Sequence, residues 1–220
     1  MITDVLKSAP ISYVKWDMNR NMTEIGSTAW PAKKQKEIAH RYMLGLYKIL
    51  ENITSNFPNI LFESCSGGGG RFDGGMLYYM PQTWTSDDTD AIERLMIQEG
   101  TSLVYPTSSM GSHVSAVPNH QVHRITPLNT RGVVAMAGSF GYELDVTKMN
   151  EEEKEEVKKQ VEFYKNIRST VQFGDLYRLK SSFDSNEAAW MNLSKDGKEV
   201  VVSYVKKYSE ANVIPRRLKS

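Results

Sequence analysis

The 220-residue chain carries 27 basic and 26 acidic residues, and a formal charge of +1 gives no electrostatic footprint for nucleic acid and points to an uncharged or small substrate. With 40% hydrophobic and 24% charged residues it is expected to bury a sizeable core rather than remain disordered. A single cysteine, Cys65, rules out an internal disulfide, and no signal-peptide stretch or membrane-length apolar window occurs, so the expectation is a cytoplasmic protein with no membrane partner.

In chain order, Tyr13-Val-Lys-Trp-Asp-Met-Asn-Arg20 is a short apolar run that delivers Lys15, Asp17, Asn19 and Arg20 to its carboxyl end. From Pro31 the pattern turns helical, with Ile38, Tyr42, Met43, Leu46, Leu50 and Ile53 on one face and an end near residues 54 to 58. Asn59-Ile-Leu-Phe-Glu63 reads as a strand before a glycine run, Gly75 to Tyr79 as a helical or turn segment, and Pro81-Gln-Thr-Trp-Thr-Ser86 as the next strand. Asp88 or Thr89 is the expected cap of a helix containing Ile92, Leu95 and Met96. Ser102-Leu-Val-Tyr105 reads as a strand, Thr126 with Pro127 as a cap and first turn of a helix towards Ala137, and Gly141 to Asp145 as a further strand.

The run from Asn150 to about Ser169 is the clearest helix, with acidic first turns and Val157, Val161, Tyr164 and Ile167 spaced for a buried face. About five alternations of short strand and helix predict an α/β fold with parallel strands joined by right-handed crossovers, in which strand carboxyl ends carry the site. After about residue 185, Ala188 to Leu193 and Val200 to Val205 around an Asp-Gly turn read as an antiparallel hairpin. The expected domains are therefore a barrel-type α/β domain over 1–180 and the start of a small antiparallel β domain over 181–220.

Asp17 stands out as a catalytic carboxylate held at a strand end, with Lys15 on the same strand face to keep it ionised; a structural Lys–Asp pair is the competing reading. In Trp84-Thr-Ser-Asp-Asp-Thr-Asp90, three crowded carboxylates offer one that retains a proton and acts as general acid, while helix capping explains Asp88 or Asp90. No histidine interleaves with them, which disfavours a metal site.

The segment Glu63-Ser-Cys-Ser-Gly-Gly-Gly-Gly-Arg71 lets backbone amides approach a ligand, and it lacks the Gly-Lys-Ser/Thr ending of a phosphate loop, so sugar hydroxyls suit it better. Cys65 has no neighbouring histidine to activate it and is read as pocket lining; Arg71 is expected to pair with Asp73 or another acid. Trp16 and Trp84 are core candidates, one of which could stack on a sugar. Ser109 to Ser115, with Asn119 to Gln121, is read as a roof loop bearing His113 and His120.

Taken together, Tyr13-Val-Lys-Trp-Asp-Met-Asn-Arg20, Phe62-Glu-Ser-Cys-Ser-Gly-Gly-Gly-Gly-Arg71 and Trp84-Thr-Ser-Asp-Asp-Thr-Asp90 resemble the glycoside hydrolase family 36 alpha-galactosidases, and the likeness extends through Gly111-Ser-His-Val114 and Gly138-Ser-Phe-Gly-Tyr-Glu-Leu-Asp145. The resemblance implies a retaining enzyme that removes terminal alpha-galactose from oligosaccharides such as melibiose and raffinose, with no cofactor. It makes Asp17 the nucleophile and Asp87 the acid/base, and it makes Lys15, Asn19, Cys65 and Gly68 sugar contacts; Trp84 is the further substrate-binding candidate.

Full members of that family carry a complete (β/α)8 TIM barrel between two β domains. By comparison this chain looks like strands four to eight and the start of the last domain. The isolated chain is expected to hydrolyse weakly or not at all, and to self-associate through open sheet edges or to join the missing barrel half. The competing functions are galactosyl transfer of the raffinose synthase type and a non-catalytic carbohydrate-binding fragment.

Overall fold

The computed structural model describes residues 1–19, 22–209 and 211. Arg20 and the last expected residues of the β domain lie outside these. Strand β1 (Tyr13–Trp16), helix α2 (Ile38–Asn56, after α1 at Ile2–Ser8 and a 3-10 turn at Ala32–Glu37), β2 (Leu61–Ser64), α3 (Gly74–Tyr79), β3 (Gln82–Trp84), α4 (Ala91–Ser102), β4 (Met110–Ser115), α5 (Leu128–Ala135), β5 (Ser139–Glu143) and α6 (Glu151–Phe173) alternate along the chain. The five strands form one parallel sheet in the order β1-β2-β3-β4-β5, half of a TIM barrel. Strand order follows chain order because each helix returns the chain to the next position in the same direction.

Two compact units divide the chain: residues 1–88 with 109–111, and residues 89–108 with 112–220. In the first, the spacing of Leu46, Leu50 and Ile53 places them on one stripe of α2, where they bury against Leu6, Phe62, Met76 and Met80. Asp73 accepts a hydrogen bond from the Met76 amide at 2.8 Å and so starts α3 directly after the glycine run.

The other sheet face is polar. Lys15 pairs in register with Glu63, and Glu63 with Gln82; the two-residue period puts these three, with Tyr13 and Trp84, on the face away from α2.

In the second unit, α4 continues through Ser102, because the Thr101 and Ser102 hydroxyls bond the carbonyls of Ile97 and Glu99. The expected strand at Ser102 to Tyr105 is therefore a helix end and turn, with Leu103 and Val104 exposed. The helix cap is Asp90, not Asp88 or Thr89: its carboxylate accepts from the Ile92 and Glu93 amides at 3.0 and 3.1 Å and is paired with Arg124. Helix α5 begins after Pro127 without a side-chain cap, and Thr126 is buried rather than capping it. Helix α6 runs to Phe173 behind a capping box of Asn150 and Glu153, and buries Tyr164, Ile167 and Val171.

A three-stranded antiparallel sheet follows, in the order β6-β7-β8: β6 (Asp175–Lys180), β7 (Glu187–Leu193) and β8 (Val200–Lys206). The hairpin turns at Gly197 with φ 70°, as the Asp-Gly signal requires. The first strand, β6, escaped the sequence reading because Asp175-Leu-Tyr-Arg-Leu-Lys180 follows α6 after one glycine, with no turn signal between. Ala188 and Val205 of this sheet pack on Ala91 and Leu95 of α4 and Val134 of α5.

Candidate active site

Asp17 sits one residue beyond β1, where the chain leaves the sheet but is still tied to β2: the Cys65 amide bonds the Trp16 carbonyl at 3.0 Å, and the Met18 amide bonds the Cys65 carbonyl at 3.1 Å. The Asp17 carboxylate accepts from Asn19 Nδ2 at 2.7 Å and from the Cys65 thiol. Burial works against its ionisation. The Cys65 and Asn19 donors, the Met18 backbone N–H and the Lys15 ammonium, in that order, outweigh burial and hold the carboxyl below the ordinary aspartate value. Lys15 does favour the charge as expected, but as the smallest of these influences. Its ammonium lies 3.7 Å from Glu63 Oε1 and 4.9 Å from the centre of the Trp84 ring.

Glu63 is the residue that sequence reading missed. It is 1% exposed, and its Oε2 accepts from Gln82 at 2.8 Å and from the Tyr13 hydroxyl. The available signal was an acidic residue within an apolar strand, in register with Lys15, which a search for strand-end carboxylates passes over. Trp84 is 2% exposed, with its ring against Gly111 as well as beneath the Lys15 ammonium.

The glycine run is a tight loop rather than a flexible one. Gly67 and Gly68 have φ of 54° and 78°, a left-handed turn open to glycine at no steric penalty. The Gly67 amide donates to Asn19 Oδ1 at 2.9 Å, the Ser66 amide to the Gly68 carbonyl at 2.8 Å, and the Ser66 hydroxyl to the Met18 carbonyl at 2.8 Å. A Cβ on Gly68 would lie 2.5 Å from Ser86 Cα and 2.9 Å from the Asp87 amide nitrogen. One loop thus touches both carboxylate-bearing segments.

Arg71 donates to the Cys65 carbonyl at 3.1 Å, while Asp73 is engaged in capping α3, so the expected Arg71–Asp73 pair is replaced by a brace on the loop's own backbone. Burial, ahead of the carboxylate of Asp17, pushes the Cys65 thiol up to about 11, which suits a lining donor and not a nucleophile.

The carboxylates of the second cluster separate by role. Asp90 is buried and consumed by capping and Arg124; Asp87 is exposed, and Asp88 is half-buried with its amide on Ser86 Oγ. The expected roof loop is strand β4. In it, the His113 ring packs against Gly141, 3.8 Å from Glu143, whereas His120 is exposed. Asn119 and Gln121 anchor to Thr89 at 3.0 and 3.1 Å. Among the described residues no group of three or more His, Cys, Asp or Glu is placed to hold a metal ion, and no helix is long and apolar enough to cross a membrane.

The melibiase family profile matches residues 1–174, which include all of these side chains. The chain belongs to the melibiase family. This melibiase segment is 68% identical over 211 residues to the alpha-galactosidase AgaA of Geobacillus stearothermophilus, covering 96% of this chain and 29% of that protein. It is 58% identical over 201 residues to the alpha-galactosidase Mel36A of Lactobacillus acidophilus, covering 91% of this chain and 27% of that one.

The crystal structure of AgaA, a glycoside hydrolase family 36 alpha-galactosidase, superposes with a TM-score of 0.95 and 66% identity over 100% of this chain and 31% of its own. An alpha-galactosidase from Lactobacillus brevis gives 0.95 with 50% identity, over 99% and 30%. Variants of AgaA have been crystallised with raffinose and with stachyose. The chain spans a little under one third of the length of these relatives.

Proposed function

We propose that this chain supplies the catalytic carboxylates of a retaining alpha-galactosidase that hydrolyses terminal alpha-D-galactosyl residues from oligosaccharides such as melibiose and raffinose. The single observation that carries the reading is the glycine loop, whose Cys65 donates to Asp17 and whose Gly68 packs on the Asp87 backbone, so that one loop joins the two segments that bear these carboxylates. The raffinose and stachyose complexes of AgaA each carry a substituted aspartate, and those two aspartates are separated by the same number of residues as Asp17 and Asp87.

In this reading the ionised Asp17 attacks the anomeric carbon while Asp87, protonated, gives its proton to the departing oxygen. Asp87 then takes a proton from water as the water displaces Asp17 and releases galactose with retained configuration. Such a mechanism requires the two carboxyl groups to be about 5 to 5.5 Å apart. A carboxyl held below the ordinary aspartate value suits a group that must be charged at the start. Lys15, Asn19, Gly68 and the Cys65 thiol line the galactose position, with Trp84 supporting Lys15 from below.

The same reading has the free edges of β1 and β5 pairing with further barrel strands or with a second copy, and it places the enzyme in the cytoplasm. The test is to graft residues 1–220 in place of the matching segment of AgaA and follow raffinose hydrolysis by NMR. Release of alpha-galactose first, with turnover lost in Asp17→Asn and Asp87→Asn, is the expected result. Beta-galactose as the first product, or full activity in Asp17→Asn, would overturn it.

A further inference from the structure

We propose that Asn19 and Cys65 are positioning residues that clamp the carboxylate of Asp17 between the glycine loop and β2; the inference rests on the reading of Asp17 as nucleophile. Asn19 is a bridge with both ends occupied. Its Nδ2 donates to Asp17 Oδ2 at 2.7 Å, and its Oδ1 accepts from the Gly67 amide at 2.9 Å. The amide plane therefore transmits the position of Gly67 to the carboxylate.

Cys65 is the second arm. Its side chain is 3% exposed and its thiol donates to Asp17, while its own backbone is pinned on both sides, by the Trp16 carbonyl at 3.0 Å and the Met18 amide at 3.1 Å. Arg71 fixes the same peptide by bonding the Cys65 carbonyl. Ser66, on the Met18 carbonyl, closes the ring of contacts.

An exposed aspartate on a loop has free rotation about two side-chain bonds, and its two oxygens are equivalent in water. Here each of two donors comes from a backbone-anchored group. That arrangement restricts rotation and favours the charged form, the two properties an attacking carboxylate needs. A weak S–H donor is sufficient, because the acceptor is ionised and the donor is already desolvated. The arrangement also gives the single cysteine of the chain a role that needs no thiolate.

The decisive experiment titrates the Asp17 side-chain carboxyl by carbon-13 NMR in the full 220-residue chain. Asn19→Ala and Cys65→Ala are each expected to move its midpoint to higher pH, and Cys65→Ser, which retains a donor, to restore it towards the parent value. In the AgaA graft, the acid limb of the kcat/KM profile should move in the same direction. The value of kcat/KM at neutral pH is expected to fall by about tenfold to a hundredfold for the alanine variants, as for a misplaced reacting group, and by less for Cys65→Ser.

An unchanged Asp17 midpoint and acid limb in both alanine variants, with native-like spectra, would overturn the clamp while leaving Asp17 as nucleophile. Retained turnover in Asp17→Asn would instead remove the reading beneath it. A Cys65→Ser variant that behaves as Cys65→Ala would show that packing, not donation, is what Cys65 contributes, and would also refute the clamp.

Discussion

Replacing Gly68 by alanine tests whether the glycine loop must lie flush against the segment that carries Asp87. At φ 78° an L side chain is strained by about 1 to 2 kcal/mol. The added Cβ would also stand 2.5 Å from Ser86 Cα, 2.9 Å from the Asp87 nitrogen and 3.0 Å from the Ser86 carbonyl carbon, all backbone atoms that cannot rotate away. Reaching an ordinary contact of about 3.5 Å requires a displacement of roughly 1 Å, and overpacking of this kind adds about 1 to 3 kcal/mol.

Gly68→Ala is thus expected to destabilise by about 2 to 5 kcal/mol and, where the fold survives, to lower kcat/KM about a hundredfold by moving Asp87 relative to Asp17. Gly67→Ala is the comparison: it has φ 54° but meets nothing within 4 Å, so it should lose only the backbone term in stability and lower kcat/KM by less than Gly68→Ala does, through its bond to Asn19 alone. Urea unfolding of the chain and aryl alpha-galactoside hydrolysis in the AgaA graft measure the two effects. Parent-like activity in Gly68→Ala, or equal loss in both variants, would refute the reasoning.

Alkylation of Cys65 by iodoacetamide should be slow at pH 8 and accelerate only as the pH approaches the thiol's value of about 11; rapid labelling at pH 8 in folded protein would contradict its burial beside Asp17. Asp90→Ala removes the acceptor of two helix amides and the partner of Arg124, and should cost about 2 to 4 kcal/mol by chemical denaturation. Leu50→Ala, at a site 1% exposed, should cost about 2 to 5 kcal/mol and act on the core formed by α2 and α3.

Burial opposes ionisation of Glu99, but the Ser182 hydroxyl and amide, each at 2.6 Å, then Ser181 and Arg178, leave its carboxyl below the ordinary value of 4.5. Because the folded value is the lower one, its contribution is fully present above pH 4.5 and is lost as pH falls through the folded value. Glu99→Gln should therefore flatten part of the acid decline in unfolding free energy, and an unchanged slope would count against these contacts.

Local pattern determined a good deal by itself. The stripe of Leu46, Leu50 and Ile53 and the acidic start of α6 each announce a helix, since the burial period and the cap lie within one segment. The Asp-Gly turn does the same for the β7–β8 hairpin. Asp17 was visible as a strand-end carboxylate because the apolar run preceding it is short and ends abruptly. Ser102 to Tyr105 misled for the same local reason: apolar residues there look like a strand, but α4 had not yet closed its last turn, and Leu103 and Val104 remain exposed.

Tertiary structure alone decided what depends on pairing between distant segments. Asp90 takes the cap because Arg124, 34 residues away, neutralises it in a buried position, which withdraws it from the acidic cluster. Glu63 becomes a buried polar centre only when parallel register sets it between Lys15 and Gln82. The glycine run could be read as a loop from composition, but its φ values and its contact with Ser86 and Asp87 exist only once β2 and β3 lie side by side. Residue types and short-range periodicity name the groups available for chemistry; strand pairing fixes which of them share a pocket, because a hydrogen bond of 3 Å is set by neighbours in space and not by neighbours in the chain.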